Sequence, residues 1–232
     1  MPVIVSGNTI AEIAALIGDP ARANILSALM DGRALTAGEL VWHAGVSAQT
    51  TSGHLAKLHG AQLVTVEKQG RHRYYRLASP DIAQALETLM VVAAAGPKRH
   101  RPVGPRDEAL RAARTCYDHL AGRLGTALAD ALASRGHVVL SDGAATVTIE
   151  GERALLELDI ALAPDRKGAR PLCRVCLDWS ERRPHLAGRL GAALCTRSFE
   201  LGWVERVRDS RALTITPLGR SGFAERFGVR IA

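Results

Sequence analysis

The sequence predicts an α+β protein, mainly helical and built in two parts, and three observations predict it. Residues 36–77 run as a capped helix, a tight turn, a second helix and two short strands around a basic tip. Residues 96–105 then bring three prolines and two glycines within ten positions, a stretch through which no helix continues. Beyond it helical and strand periodicity return, together with all four cysteines of the chain. The expected division is a domain over 1–95, a linker over 96–105 and a second α+β domain over 106–232.

The elements of the first part follow from their end signals. Asp19 can cap a helix whose first position is Pro20, where a missing N–H costs nothing. Thr36 and Glu39 stand three apart before an apolar run, the spacing of a capping box, and Gly45 can take the left-handed conformation that stops that helix. Ser47 caps the next one. Within it Thr51, Leu55 and Leu58 share the inward face, which leaves Gln49, Thr50, Ser52, His54 and Lys57 outward. Short polar side chains suit base edges, and Lys57 suits a phosphate. Leu63–Val66 and Tyr74–Leu77 read as strands around a tip that carries Arg71, His72 and Arg73, a phosphate or minor-groove probe. A helix capped by Ser79 follows through Ile82, Leu86, Leu89 and Met90; its apolar excess suits either a dimer face or a core face.

Ser52-Gly53-His54-Leu55, then Leu58, then Leu63-Val64, together with the opening Asp19-Pro20-Ala21-Arg22, resemble the ArsR/SmtB family of winged-helix repressors over about residues 8–95. The resemblance implies a winged helix-turn-helix that reads double-stranded DNA as a homodimer at an inverted-repeat operator. One departure is Gly53 inside the reading helix, which costs on the order of 1 kcal/mol against alanine. Family members commonly carry sensing cysteines on the first helix of the motif, or Asp and His ligands on the terminal helix. Here those places hold Glu39-Leu40-Val41-Trp42-His43-Ala44 and Asp81-Ile82-Ala83-Gln84-Ala85-Leu86-Glu87. Any effector site is therefore expected in the second half.

That half predicts a long amphipathic helix over 107–135, a strand over 137–140, another near 145–150 and a third over 155–162, where leucine and isoleucine alternate with polar residues. A helix near 185–201, a hairpin over 203–215 and a helix capped at Thr216 follow. Helix, hairpin, helix repeats the order of the first half, so the domain reads as a degenerate winged helix; its hairpin lacks wing cations and should pack rather than read DNA.

Cys173-Arg174-Val175-Cys176 is the most distinctive motif there. Two thiols at that spacing can share a soft metal or close a reversible disulfide, and Arg170, Arg174, Arg182 and Arg183 would favour the thiolate form. Cys116, Cys195 and His185 could complete the site; alternatively Cys116 and Cys195 are packing residues. The sequence does not fix a cofactor; the candidate is a soft or transition metal ion at these cysteines.

The formal charge is +7, and residues 1–96 carry equal numbers of cations and anions, so the excess lies wholly in 97–232. No apolar run approaches the ~20 residues of a membrane span, and the N-terminus lacks a basic and then apolar leader, which predicts a cytoplasmic protein without a membrane partner. No phosphate loop, nucleophile elbow or metalloprotease motif is present. Taken together, the residues predict a non-enzymatic DNA-binding regulator, a repressor released by thiol modification or soft-metal binding. The alternatives are a repressor that holds an organic ligand in its C-terminal half, with structural cysteines, and, more distantly, a thiol oxidoreductase.

Overall fold

The computed structural model describes residues 6–70, 72–95, 105–141, 144–162 and 170–231. The chain forms two compact units, Met1–Leu86 and Glu87–Ala232.

In the first unit α1 (Gly7–Ile17) starts at Ser6, and α2 (Pro20–Leu29) starts where an Asp19 oxygen accepts the Arg22 N–H at 2.9 Å. After β1 (Leu35–Thr36), the capping box of Thr36 and Glu39 forms as the spacing predicts and opens α3 (Ala37–Ala44). Gly45 stops that helix with φ 67°, and Ser47 caps α4 (Ala48–Gly60). The strands β2 (Val64–Gln69) and β3 (His72–Leu77) form the wing, and β1 completes an antiparallel sheet in the order β1-β3-β2. Ile25, Leu26, Met30, Leu40, Leu55 and Leu58 make the core, the inward face expected of α4 among them.

The division falls within α5 (Pro80–Ala95), ahead of residues 96–105, most of which lie outside the described ones. The end of α5 is itself part of the second unit. Glu87 is fully buried and bonds Arg114, while the Met90 sulfur meets Arg211.

The second unit contains α6 (Pro105–Ala112), β4 (Arg114–Cys116), β5 (His119–Ala121), α7 (Gly122–Ser134), β6 (Val138–Ser141), β7 (Ala144–Val147) and α8 (Ile149–Leu156). It continues with β8 (Arg174–Leu177), β9 (Pro184–Ala187), α9 (Gly188–Glu200), β10 (Val204–Arg206), β11 (Leu213–Ile215) and α10 (Pro217–Phe227). Two expectations are corrected. The single helix over 107–135 is two helices around a hairpin, because the chain reverses at Tyr117, whose φ is 60°, and pairs Arg114–Cys116 with His119–Ala121. The strand expected over 155–162 is instead the end of α8 and a turn. Thr148 caps that helix, Leu155 and Leu158 turn inward at helical spacing, and Asp159 reverses the chain with φ 57°.

The order expected of a degenerate winged helix, α9-β10-β11-α10, is present, and it has a twin within the same unit. Hairpin, helix, hairpin, helix occurs once as β4-β5-α7-β6-β7-α8 and again as β8-β9-α9-β10-β11-α10. The copies share small details. Thr148 and Thr216 each cap the last helix of their copy, accepting from Gly151 and Gly219 at 3.0 and 2.9 Å, and each donates to a glycine carbonyl, Gly136 or Gly202, at 2.7 Å. The copies are also interleaved. The sheet β6-β7-β8-β9 joins the second hairpin of one copy to the first hairpin of the other, and a bridge from Arg114 to Ala212 brings β4 against the β10-β11 pair in the complementary way.

Candidate metal centre

The sequence of each copy explains how its first hairpin is furnished. Arg-x-Cys-x-Asp stands at 114–118 and again at 174–178, and His-Leu-Ala-Gly-Arg-Leu-Gly stands at 119–125 and again at 185–191. The antiparallel register sets Cys116 opposite His119 and Cys176 opposite His185, so each hairpin offers one sulfur and one imidazole from directly paired positions. Helices are exchanged over them: α7 packs on β9 and α9 on β5. The closing glycine of each repeated segment lets its helix lie close on its own hairpin and, at Gly191, on the other copy's histidine as well. A Cβ at Gly125 would lie 2.4 Å from the Leu120 carbonyl oxygen, and one at Gly191 would lie 2.3 Å from that of Leu186 and 3.0 Å from His119 Cβ.

The two imidazoles therefore stack with centroids 5.0 Å apart and their Nε2 atoms at 3.2 Å. Together with both sulfurs, their ligand atoms all lie within 4.8 Å of one another, and all four residues are buried. Two nitrogens on one tetrahedral zinc would stand roughly 3.3 Å apart, since each sits about 2.0–2.1 Å from the ion. The spacing fits, and two thiolates with two imidazoles suit zinc or a softer thiophilic ion.

Charge placement around the four is uneven. The Cys116 thiol is pushed well above its ordinary range, first by its hydrogen bond with Cys176 and then by burial, so it is protonated at neutral pH. Burial alone would lower His119, but its neighbours Cys116 and Asp118 outweigh it and raise its pKa. Asp118 itself lies at about 2: burial opposes ionisation, and His119 and Arg170 overcome it. His185 is held well below its ordinary value by burial, by His119 and by Arg114. Asp118 and Asp178 occupy the same place in the two motifs, each beside the Nδ1 of its copy's histidine, at 3.2 and 3.8 Å. Carboxylates in that position orient metal-bound histidines.

In the first unit Gln49, Thr50, Ser52 and Lys57 are exposed along α4, and His72 and Arg73 are exposed at the wing tip.

A family profile described as "Bacterial regulatory protein, arsR family" matches residues 19–66, which span α2 to β2. YdfF of Bacillus subtilis, described as an uncharacterized HTH-type transcriptional regulator, is 43% identical over 222 residues, 96% of this chain and 98% of its own. The chain belongs to the ArsR family. The HTH-type transcriptional regulator CmtR of Mycobacterium bovis is 36% identical over 85 residues, 37% of this chain and 71% of its own. Among solved structures, the cadmium metal-sensor CmtR of Mycobacterium tuberculosis is 35% identical, with a TM-score of 0.32 over 41% of this chain and 99% of that one. The transcriptional repressor BigR of Xylella fastidiosa is 25% identical, with a TM-score of 0.34 over 37% and 86%.

Within this ArsR-family regulator the residues singled out from sequence separate into groups. Cys116, Cys176 and His185 converge, while Cys173 and Cys195 join the apolar core with Leu186, Leu190 and Leu194. Of the Cys173-x-x-Cys176 pair, only Cys176 belongs to the four-residue cluster. Three of the four arginines expected to favour its thiolate are engaged elsewhere: Arg170 with Asp118, Arg183 with Asp130, Arg182 with the Ala94 carbonyl. Burial raises Cys173 to about 11 instead. On α4, His54 is turned inward, its Nδ1 3.2 Å from an Arg22 nitrogen and 3.9 Å from Asp19, so it braces α2 rather than lying open with Gln49 and Thr50. Arg71 lies outside the described residues. His119 was not among the expected residues. The signal for it was the repeated segment at 119–125 and 185–191, which marks both histidines at once.

Proposed function

We propose that this ArsR-family regulator is a homodimeric repressor that leaves an inverted-repeat operator when a thiophilic metal ion occupies Cys116, His119, Cys176 and His185. The observation that carries the reading is the buried meeting of two sulfurs and two imidazole nitrogens within 4.8 Å, contributed equally by the two copies of one motif. Support for the dimer comes from unspent apolar surface: α1 buries none of its residues, and Leu89 and Val92 of α5 are 47% and 64% exposed. CmtR, similar over part of its length, is described as a cadmium sensor, and metal response is carried over to this chain as part of the proposal. In the reading helix Gln49, Thr50 and Ser52 meet base edges while Lys57, Arg71, His72 and Arg73 meet the backbone.

The mechanism is a population shift. The ion binds more tightly to a conformation that matches the operator poorly, and lowers DNA affinity by that difference. One experiment tests it. Protein purified metal-free and titrated with Zn²⁺ or Cd²⁺ should take up one ion per chain and lose operator affinity by about 10- to 100-fold, the usual range of such couplings. The pair Cys116→Ser with Cys176→Ser should bind DNA as the metal-free wild type does and ignore the ion. Wild-type protein that binds operator equally with and without metal rejects the switch.

Complete burial of all four residues favours a second reading, in which the ion is structural, since closed four-ligand sites usually are. Under that reading metal removal unfolds Glu87–Ala232, and the double variant loses DNA binding and stability together.

A further inference from the structure

Around the candidate centre the two copies differ in how each histidine meets its carboxylate. His119 Nδ1 lies at 3.2 Å from its carboxylate, Asp118, whereas His185 Nδ1 has no hydrogen-bond partner and stands 3.8 Å from Asp178. The Asp178 oxygen it faces is already taken: it accepts from an Arg114 guanidinium nitrogen at 2.8 Å and from the Gly122 N–H at 2.7 Å. Arg114 is itself fully buried, covers the Trp179 ring at 4.6 Å, and reaches Glu87 of α5 only at 3.5 Å. Among the described residues, the buried side-chain atoms without a partner are Thr51 Oγ1 and four atoms of this one cluster: His185 Nδ1, Arg114 Nε, Trp179 Nε1 and Glu87 Oε2. Buried polar atoms left unpaired are costly, so the cluster is poised to rearrange.

We propose that Asp178, Arg114 and Glu87 form a relay by which α5 reads the occupancy of the metal centre. The proposal rests on the reading of Cys116, His119, Cys176 and His185 as a metal site. An ion held by His185 Nε2 leaves Nδ1–H as the donor on the ring, and metal-bound histidines give that proton to a carboxylate. Here the carboxylate is Asp178. A third donor on its crowded oxygen competes with Arg114, the partner that has an alternative. Glu87 has one oxygen unbonded and the other at long range, so Arg114 is drawn toward it. Glu87 sits on α5, whose preceding residues Pro80–Leu86 belong to the DNA-reading unit. Asp178 is then a positioning residue for His185, and Arg114 and Glu87 transmit. No covalent step is involved; the Arg114–Asp178 hydrogen bond is given up for one from His185 to Asp178 and a closer one from Arg114 to Glu87.

The test uses the full chain and zinc alone. Glu87→Gln keeps the size of the side chain and removes the charge that attracts Arg114. It should bind zinc within about threefold of wild type and bind operator without metal within about threefold, yet lose most of the zinc-induced drop in DNA affinity, to under about fivefold. Reciprocally, operator DNA should weaken zinc binding in wild type and not in the variant, as linkage requires. A variant with the full wild-type response overturns the relay and leaves the metal site standing. Wild-type protein that takes up no zinc, or takes it up without any change in DNA affinity, rejects the proposed function and the relay with it. An independent measurement needs no variant at these positions. In protein labelled with fluorotryptophan, the Trp179 resonance should move on zinc addition because its ring lies under Arg114, while that of Trp203, packed on Phe223 and Phe227, should not. A Trp179 signal unmoved at saturating zinc also overturns the relay.

Discussion

Cys173 and Cys176 stand three residues apart and do different work. Cys176 faces His185 across the hairpin, while Cys173 lies in the apolar core with its thiol raised to about 11 by burial. In native protein at neutral pH, alkylating reagents should leave Cys173 unmodified, and Cys173→Ser should keep the metal stoichiometry at a stability cost of about 1–3 kcal/mol for burying a hydroxyl. The sign of the alkaline effect follows from the same burial. The unfolded thiol ionises near 9.0 and the folded one near 11, so the stability Cys173 contributes is whole below pH 9 and is lost as pH rises toward 11. Alkaline unfolding curves of wild type and Cys173→Ala should converge over that interval; parallel curves would show the thiol to be less buried than it stands here. Gly53 offers a second test at this scale. A Cβ there would meet nothing, so Gly53→Ala should stabilise the protein by about 0.5–1 kcal/mol through helix propensity. If Gly53 is there to let DNA approach, operator affinity should fall in the same variant, and unchanged affinity would mark the glycine as a weak spot without a role.

At the scale of elements, what the sequence disclosed depended on element length and on end signals. The winged helix was readable because each of its helices carries its own cap: Asp19, Thr36 and Ser47 all bond as their spacing predicts. The strands β4 and β5 span three residues each, too short for alternation to register, and their apolar positions also fit a helix period. Only the backbone reversal at Tyr117 distinguishes the two, and nothing in that side chain announces it. Three of the four proposed ligands, Cys116, Cys176 and His185, are named from sequence without proof that they meet. Their meeting depends on pairing across long sequence distances, and of that only the repeated motif is visible. Because α9 at Gly191 lies against the Leu186 carbonyl of its own hairpin and against His119 of the other, Gly191→Ala should be severe: the new methyl would sit 2.3 Å from a backbone oxygen that cannot step aside. We expect a loss of more than about 2 kcal/mol in stability and a weaker metal site together. Gly53→Ala is the matched control, and a Gly191→Ala protein as stable as wild type would refute the close approach.

For the whole molecule, the distribution of charge matters more than its sum. The net excess of +7 falls in 97–232, where many arginines are paired internally, Arg114 with Asp178, Arg123 with Glu108 and Arg197 with Asp159 among them. The salt dependence of operator binding should therefore follow the α4 and wing cations. Lys57→Ala or Arg73→Ala should lower its slope by about one each, while Arg123→Ala should leave it unchanged, as measured by operator binding across a salt series. An equal change for Arg123→Ala would place the second unit on DNA as well. Metal uptake should also release protons at neutral pH, because Cys116 is held as a thiol and must ionise to bind. Titration in weak buffer with a pH indicator would detect this.

The interleaved copies carry a consequence for ancestry and for dose. A chain with one Arg-x-Cys-x-Asp and one His-Leu-Ala-Gly-Arg-Leu-Gly would own half a centre, one sulfur and one imidazole, and could hold an ion fully only by finding a second chain. Joining two such segments end to end turns that bimolecular encounter into an internal one, with the second half always present at high effective concentration. If the four residues hold an ion, its affinity would not depend on how much protein a cell contains. A regulator present in few copies can read metal as faithfully as an abundant one, and only its grip on DNA remains subject to dilution.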